Sequence, residues 1–316
     1  MSAIGIDIDH AAKLLRKGEI VGIPTETVYG LAGNALDGDA VAKIFAAKER
    51  PAFDPLIVHI GHLSQLDLVA KEVPDSVKSM LEDLWPGPLT VVLPRQSVIP
   101  DITVSGHKKV AIRMPSQTMT LNLLRNLDFP LAAPSANPFG YISPTRAEHV
   151  TAQLGDRIPY VLDGGNCEVG IESTIIEPMG VDCNVLRLGG LELEKLTPYF
   201  NNFNTMLNKS SNPLAPGQLA KHYSPKKDIT VFERKEEMPV NNSATYILFD
   251  SAIEGLPEKN QLMLSKKSDL NQAASNIFSF LRMADEMEGK EIFALKLPEV
   301  GLGLAINDRL HRAAAK

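Results

Sequence analysis

The apolar positions of this chain recur with two periods, one near 3.6 residues and one near 2, and the elements they predict alternate between helix and strand. Residues 9–16 read as a helix with Asp9 as its cap and Gly18 as its stop. Residues 19–24 (EIVGIP) read as a short buried strand. Residues 39–50 (DAVAKIFAAKER) are amphipathic and helical, with Asp39 at the start and Lys48 and Arg50 near the end, where cations complement the helix dipole. A strand at 55–60, a helix at 75–85 ended by Pro86-Gly87-Pro88, and strands at 89–93 and 110–113 follow. A helix at 117–127, a short apolar strand at 130–133 and a helix at 145–154 lead to strands at 160–162, 173–176 and 185–188.

The pattern breaks over 201–217 (NNFNTMLNKSSNPLAPG), which is rich in Asn, Ser and Pro and reads as an interdomain linker. Beyond it, strands at 229–232, 245–249, 261–264 and 292–297 and helices at 269–288 and 303–314 make a small α/β unit. The division predicted is a first domain over 1–200, a linker over 201–228 and a second domain over 229–316.

Composition agrees with this picture. A chain of 316 residues favours two domains over one. With 44% hydrophobic residues it is an ordinary globular sequence. A net charge of −6 argues against a protein that coats nucleic acid by overall basicity, while a local basic patch stays compatible with it. Two cysteines, Cys167 and Cys183, form neither a disulfide framework nor a CxxC and fit a reducing cytosol. The first residues lack the basic and apolar regions of a signal peptide, and no apolar run approaches the ~20 residues of a membrane span. The expectation is a cytoplasmic enzyme or binding protein.

Several familiar chemistries are missing. There is no GxxxxGK[ST] loop, no strand-linked GxGxxG and no GxSxG elbow. His59 and His62 make an HxxH, but on a strand residues three apart face opposite ways. If ATP is used, something other than a Walker loop holds it.

Three segments do carry candidate chemistry. Pro24-Thr25-Glu26-Thr27-Val28-Tyr29-Gly30-Leu31 sets three hydroxyls and a carboxylate at the end of a buried strand, where α/β sheets hold ligands, although a capped structural turn reads the same way. Lys48-Glu49-Arg50-Pro51 puts two cations on a proline-stopped loop suited to a polyanion, or simply ends a solvated helix. Ala133-Pro134-Ser135-Ala136-Asn137-Pro138, followed by Ser143-Pro144-Thr145, offers small residues and donors for phosphate or an adenine edge, or a proline-rich turn with a Ser cap. Arg113, Glu172-Ser173-Thr174 and Arg187 each border a strand. Arginines at several strand ends of one sheet are harder to dismiss than one.

Together these segments resemble the Sua5/YrdC family, the threonylcarbamoyl-AMP synthases. The matches are PTETVYGL at 24–31, KxRPxxxPL at 48–56, WPGPLT at 85–90, RxP at 113–115, PSAN at 134–137, SPT at 143–145 and EST at 172–174, in the family's order. Ala215-Pro216-Gly217, His222-Tyr223-Ser224-Pro225 and GLGLAINDRLHRAA at 301–314 resemble the long, Sua5-type version.

The resemblance implies an α/β (α+β) fold. A twisted mixed sheet with an open, positively lined concave face would join a small Rossmann-like C-terminal α/β domain. It implies that L-threonine, bicarbonate and ATP, the last with Mg²⁺, give threonylcarbamoyl-AMP and pyrophosphate. The product feeds a downstream threonylcarbamoyl transferase machinery that modifies the adenosine beside the anticodon of ANN-decoding tRNAs. Carried onto this chain, Lys48 and Arg50 would be catalytic. Thr27, His59, Arg113, the Ala133 backbone and Ser173 would bind threonine. Arg50, Asp54, Ser135, Asn137, Ser143, Arg187 and the linker's Tyr223, folding over as a lid, would bind ATP. Two departures stand out. Asp54 replaces the family's Asn, and a carboxylate there repels phosphates unless it faces Mg²⁺ or the adenine. Gln218-Leu219-Ala220-Lys221 replaces a run with two cations. The competing function is a double-stranded RNA or tRNA binder that uses the same concave face without catalysis; salt-dependent RNA binding discriminates the two. A carbamoyl-adenylate enzyme of the hydrogenase-maturation type would bring CxxC motifs, and none occur.

Overall fold

The computed structural model describes residues 2–206, 215–216 and 222–315. The first part runs β1 (Ala3–Gly5), α1 (Ile8–Arg16), β2 (Val21–Ile23), β3 (Gly30–Asn34), α2 (Gly38–Lys48), β4 (Ile57–His59), α3 (Leu66–Val69), α4 (Asp75–Leu84), β5 (Leu89–Pro94), β6 (Lys109–Arg113), α5 (Thr118–Arg125), β7 (Leu131–Ala132), α6 (Ala147–Leu154), β8 (Tyr160–Leu162), β9 (Thr174–Met179), β10 (Asp182–Arg187) and β11 (Asn202–Thr205). The second runs β12 (Asp228–Phe232), β13 (Ala244–Leu248), β14 (Gln261–Met263), α7 (Leu270–Glu286), β15 (Glu291–Leu295) and α8 (Leu302–Ala314).

Among the described residues β1–β11 form one mixed sheet in the order β1-β8-β2-β3-β7-β4-β6-β5-β9-β10-β11, and β12–β15 form a four-stranded parallel sheet in the order β12-β15-β13-β14. This is the mixed sheet plus Rossmann-like unit expected from the sequence. Every strand and helix expected from periodicity has a counterpart, with ends shifted by a few residues.

The differences have local causes. The caps of α1 and α2 are Asp7 and Asp37, whose carboxylates accept from the His10 and Asp39 backbone N–H groups. Asp9 and Asp39 instead sit in the first turn, where a negative charge meets the positive end of the dipole. Helix α6 begins at Ala147, not at 145, so Ser143 is not its cap. Strand β3 (GLAGN) was not expected, because two glycines in five residues weaken any β pattern. It exists because β2 and β7 pair with it on both sides. Strand β11 lies within the segment read as linker; it is polar, mostly exposed, and held by parallel pairing to β10.

The main core packs Leu31, Val58, Leu89, Val91 and Ile112 of the sheet against Ile44, Met80, Leu81 and Trp85. Burying each such side chain is worth roughly 1.5–3 kcal/mol. A second core crosses between the two parts: Val28, Ile142 and Ile171 of the first pack with Phe278, Leu302, Ile306 and Leu310 of α7 and α8.

Candidate active site

The site is built on the middle of the large sheet. Strand β6 runs between β4 and β5, and the register sets His59, Arg113 and Thr90 side by side. Just after β2, Thr25 Oγ1 accepts from the Thr27 and Val28 backbone N–H groups and donates to Val28 O, a hydroxyl-closed turn. That turn aims Thr27 and Glu26 at Arg113, whose Nη1 donates to Thr27 Oγ1 at 2.8 Å and whose Nη2 donates to Glu26 Oε1 at 2.5 Å. Thr90 Oγ1 lies 2.7 Å from Ser173 Oγ. A bulge between Val185 and Arg187 ends the regular pairing of β10. Arg187 then donates to Ser173 O (3.0 Å), Ser173 Oγ (3.1 Å) and Pro216 O (3.2 Å).

The end of α2 decides which cation faces this space. Glu49 adopts a left-handed conformation (φ 54°), and Pro51 forbids further helix. The reversal turns Lys48 away, so that its ammonium donates to the carbonyls of Ser135 and Asn137 and ties down the PSAN loop. Arg50 turns inward instead, held by Asp54 O (3.0 Å), Pro55 O (2.9 Å) and the Asp54 carboxylate (Nη2 to Oδ2, 2.8 Å). Asp54 is fully buried, so the carboxylate found where the family carries Asn is matched to a guanidinium.

Pro216, His222 and Tyr223 cover this face, which is therefore not open as expected. Thr27, Arg50, His59, Arg113, Ala133, Ser135, Glu172, Ser173, Arg187, Pro216, His222 and Tyr223 are among the residues lining the partly covered space beneath, a cavity of about 40 Å³. That holds water but no nucleotide, whose sites run to ~300 Å³ or more.

Electrostatics follow from the enclosure. Burial, with Arg113 alongside, lowers His59 to about 3, so its ring is neutral at physiological pH. Burial, then Arg50, Lys48 and Arg187, hold His222 below its ordinary value. Burial lowers Arg187 to about 10, which leaves it charged. Burial raises Asp54 against the pull of Arg50. Burial alone would raise Glu172, but Arg309, then Arg187 and the Ser143 hydroxyl, outweigh it and keep the carboxyl ionised.

The neutral His59 carries a stability prediction. Below about pH 6.5 the unfolded chain protonates this histidine while the folded protein does not. Stability is thus fully present above that pH and falls by about 1.4 kcal/mol per pH unit below it from this group alone. A His59→Gln variant loses less melting temperature on acidification than the parent; equal losses contradict this.

Of the residues expected to bind or react, nine line the cavity: Thr27, His59, Arg113, Ala133, Ser173, Arg50, Ser135, Arg187 and Tyr223. The Ala133 N–H is committed to Ile57 O, so only its carbonyl could serve a ligand. Lys48, Asp54, Asn137 and Ser143 stand behind the wall. Asn137 donates to Pro138 O and Tyr141 O, and Ser143 donates to Glu172 Oε1 at 2.5 Å. Gln218-Leu219-Ala220-Lys221 lies outside the described residues. Sequence reasoning gave Glu26, Glu172, Thr25 and His222 no individual role, although all four stand inside the quoted motifs. A carboxylate beside a wall of arginines was the available signal. Arg309 stands in the quoted 301–314 segment, but nothing local links it to Glu172, which it binds from 137 positions away.

The comparisons bear on both parts of the chain. The Sua5/YciO/YrdC family model, described as telomere recombination, matches residues 13–189. A model described as threonylcarbamoyl-AMP synthase, C-terminal domain, matches residues 190–315. The threonylcarbamoyl-AMP synthase of Pyrococcus abyssi is 37% identical over 318 residues, covering 96% of this chain and 93% of that protein. That of Bacillus subtilis is 36% identical, covering 97% and 92%. The crystal structure of P. abyssi Sua5 complexed with L-threonine superposes with a TM-score of 0.90 at 34% identity, covering 99% of this chain and 97% of that one. On the ordered motifs, the two-sheet architecture and these full-length matches, the chain belongs to the Sua5/YrdC family, in the Sua5-type form of threonylcarbamoyl-AMP synthase that carries a C-terminal domain.

Proposed function

We propose that this chain joins L-threonine, bicarbonate and ATP into threonylcarbamoyl-AMP and pyrophosphate. The observation that carries the residue roles is the convergence of three guanidiniums, those of Arg50, Arg113 and Arg187, on one cavity: Asp54 and Glu26 orient the first two, while Arg187 is held by the oxygens of Ser173 and Pro216. Such a cavity calls for anions, and guanidinium binds both carboxylate and phosphate through paired N–H bonds.

In this reading Arg113, with Thr27 and Ser173, holds the threonine carboxylate and hydroxyl beside the neutral His59. Arg50 and Arg187, with Ser135, hold the triphosphate. Threonine's amine forms the N–C bond to the bicarbonate carbon as a C–O bond breaks, and the amine proton leaves with that oxygen as water. The resulting carbamate oxygen then bonds the α-phosphorus as the bond to pyrophosphate breaks. No nucleophilic side chain takes part; the chain supplies positioning and charge. Lys48, Asn137 and Ser143 act one layer back, Lys48 by shaping the PSAN loop and Ser143 by orienting Glu172. Asp54 keeps Arg50 in place.

Tyr223, His222 and Pro216 serve as the lid. ATP enters only when they move off the cavity, and their return excludes water from the labile carbamate and mixed anhydride. Among the described residues no three acids, histidines or cysteines gather as a metal site. Mg²⁺ would come with ATP as part of the substrate and would supply charge neutralisation at the phosphates. The product passes to a transferase acting on tRNA. Two free, buried cysteines support a cytoplasmic setting, and no helix among the described residues is long and apolar enough to cross a membrane. A nucleic-acid duplex fits the site poorly, because Arg50, Arg113 and Arg187 are at most 8% exposed.

Mass spectrometry of a reaction with ATP, Mg²⁺, bicarbonate and a panel of amino acids tests the reading. An AMP adduct that requires both threonine and bicarbonate, with pyrophosphate released, supports it. No adduct, with salt-dependent RNA binding instead, overturns it in favour of an RNA-binding role.

A further inference from the structure

Helix α8 reaches the back of the site through one side chain. Arg309 is fully buried. Its Nε donates to Glu172 Oε2 at 3.1 Å, while Ser143 holds the other oxygen of the same carboxylate. Its Nη1 donates to Leu188 O at 2.6 Å, the residue after Arg187. Its guanidinium carbon lies 5.4 Å from the centre of the Tyr223 ring. Tyr223 is itself held in a left-handed conformation (φ 62°), which a bulky residue adopts only where its surroundings impose it. Both parts supply those surroundings: the Ser224 backbone N–H donates to Gly140 O at 2.9 Å, while from the C-terminal domain the ring stacks on Phe278 of α7 at 5.3 Å and the His222 backbone N–H donates to Arg312 O on α8 at 3.4 Å. One guanidinium thus joins three pieces of the cavity wall that the sequence separates widely.

We propose that Arg309 is a positioning residue for the nucleotide half of the site, fixing Glu172 and the Tyr223 ring in the arrangement that closes over ATP. The proposal rests on the reading of Tyr223 as the nucleotide's lid. It makes the C-terminal domain part of the site and not only an anchor for the linker. A planar guanidinium is needed, because it binds Glu172 and Leu188 O in two directions while lying against an aromatic ring; an ammonium does one of these at a time.

The test is steady-state kinetics of the full-length protein with ATP and threonine varied separately. Arg309→Lys keeps the charge. Arg309 Nη1 also meets Asp308 Oδ2 at 3.0 Å, but Arg312 holds that carboxylate as well, so the pair Arg309→Met with Glu172→Gln leaves no carboxylate buried without a partner. Both are expected to raise KM for ATP by about tenfold and to change KM for threonine by less than about twofold. Adding Arg309→Lys to a Tyr223→Ala variant is expected to raise KM for ATP by less than it does in the parent, because one of the two groups through which Arg309 acts is already gone. An unchanged KM for ATP, an equal rise in both KM values, or full additivity with Tyr223→Ala overturns the proposal while the parent's activity leaves the synthase reading intact. A parent protein that makes no threonylcarbamoyl-AMP overturns that reading and this proposal with it.

Discussion

Arg113→Met is expected to lower kcat/KM for threonine by about a thousandfold, the scale of losing a preorganised charge at a reacting group. Arg113 occupies the middle of the row His59–Arg113–Thr90 across β4, β6 and β5, and its two terminal nitrogens are already aimed by Thr27 and Glu26. Its row neighbour His59 is neutral and cannot replace its charge. The single substitution also strands Glu26, and an unpaired buried charge costs about 3–5 kcal/mol. A melting curve would then drop together with activity and confuse the two effects. Arg113→Met combined with Glu26→Gln separates them: stability returns toward the parent value while threonine turnover stays low. Recovery of turnover in the double variant would remove Arg113 from the threonine site.

Arg50→Ala is expected to lower kcat/KM for ATP by about a hundredfold or more, with threonine binding measured alone nearly unchanged. The left-handed turn at Glu49 delivers this guanidinium to the cavity, where it meets the developing charge of the pyrophosphate leaving group. Asp54 is its buried partner, so the informative variant is Arg50→Ala with Asp54→Asn, which removes both charges together. Asp54→Asn alone restores the family's usual residue. It is expected to leave ATP turnover within a few-fold of the parent, because the Asp54 and Pro55 carbonyls still hold the guanidinium. Kinetics with ATP and threonine varied in turn, beside calorimetric threonine binding, check both expectations. A larger loss in threonine affinity than in ATP turnover would reassign Arg50.

Much of this architecture is legible along the chain. Helix and strand periods are local properties, set by which positions must turn inward every 3.6 or 2 residues. They locate α2, α4, β5, β6 and α7 to within a few residues. Strand β3 escaped, because its glycines carry no β pattern and only its neighbours' pairing makes it a strand. Motif order is local too, and it is sufficient to identify the family and the reaction.

Which of two similar residues does the chemistry is a different kind of question. Lys48 and Arg50 stand two positions apart in one motif and look interchangeable as phosphate-binding cations. The turn between them sends one to the backbone carbonyls of the PSAN loop and the other to the cavity. Ser143 and Asn137 look like ligands and turn out to be supports. Arg309 looks like a helix residue among others, and meets Glu172 only because two domains share one core. The sequence by itself determined the elements, the family and the set of candidate side chains, since these depend on residue type and short-range spacing. Tertiary structure alone decided which candidates reach the cavity and which distant residue steadies them, since a contact between positions 137 apart is set by how the domains pack and leaves no trace in any local pattern.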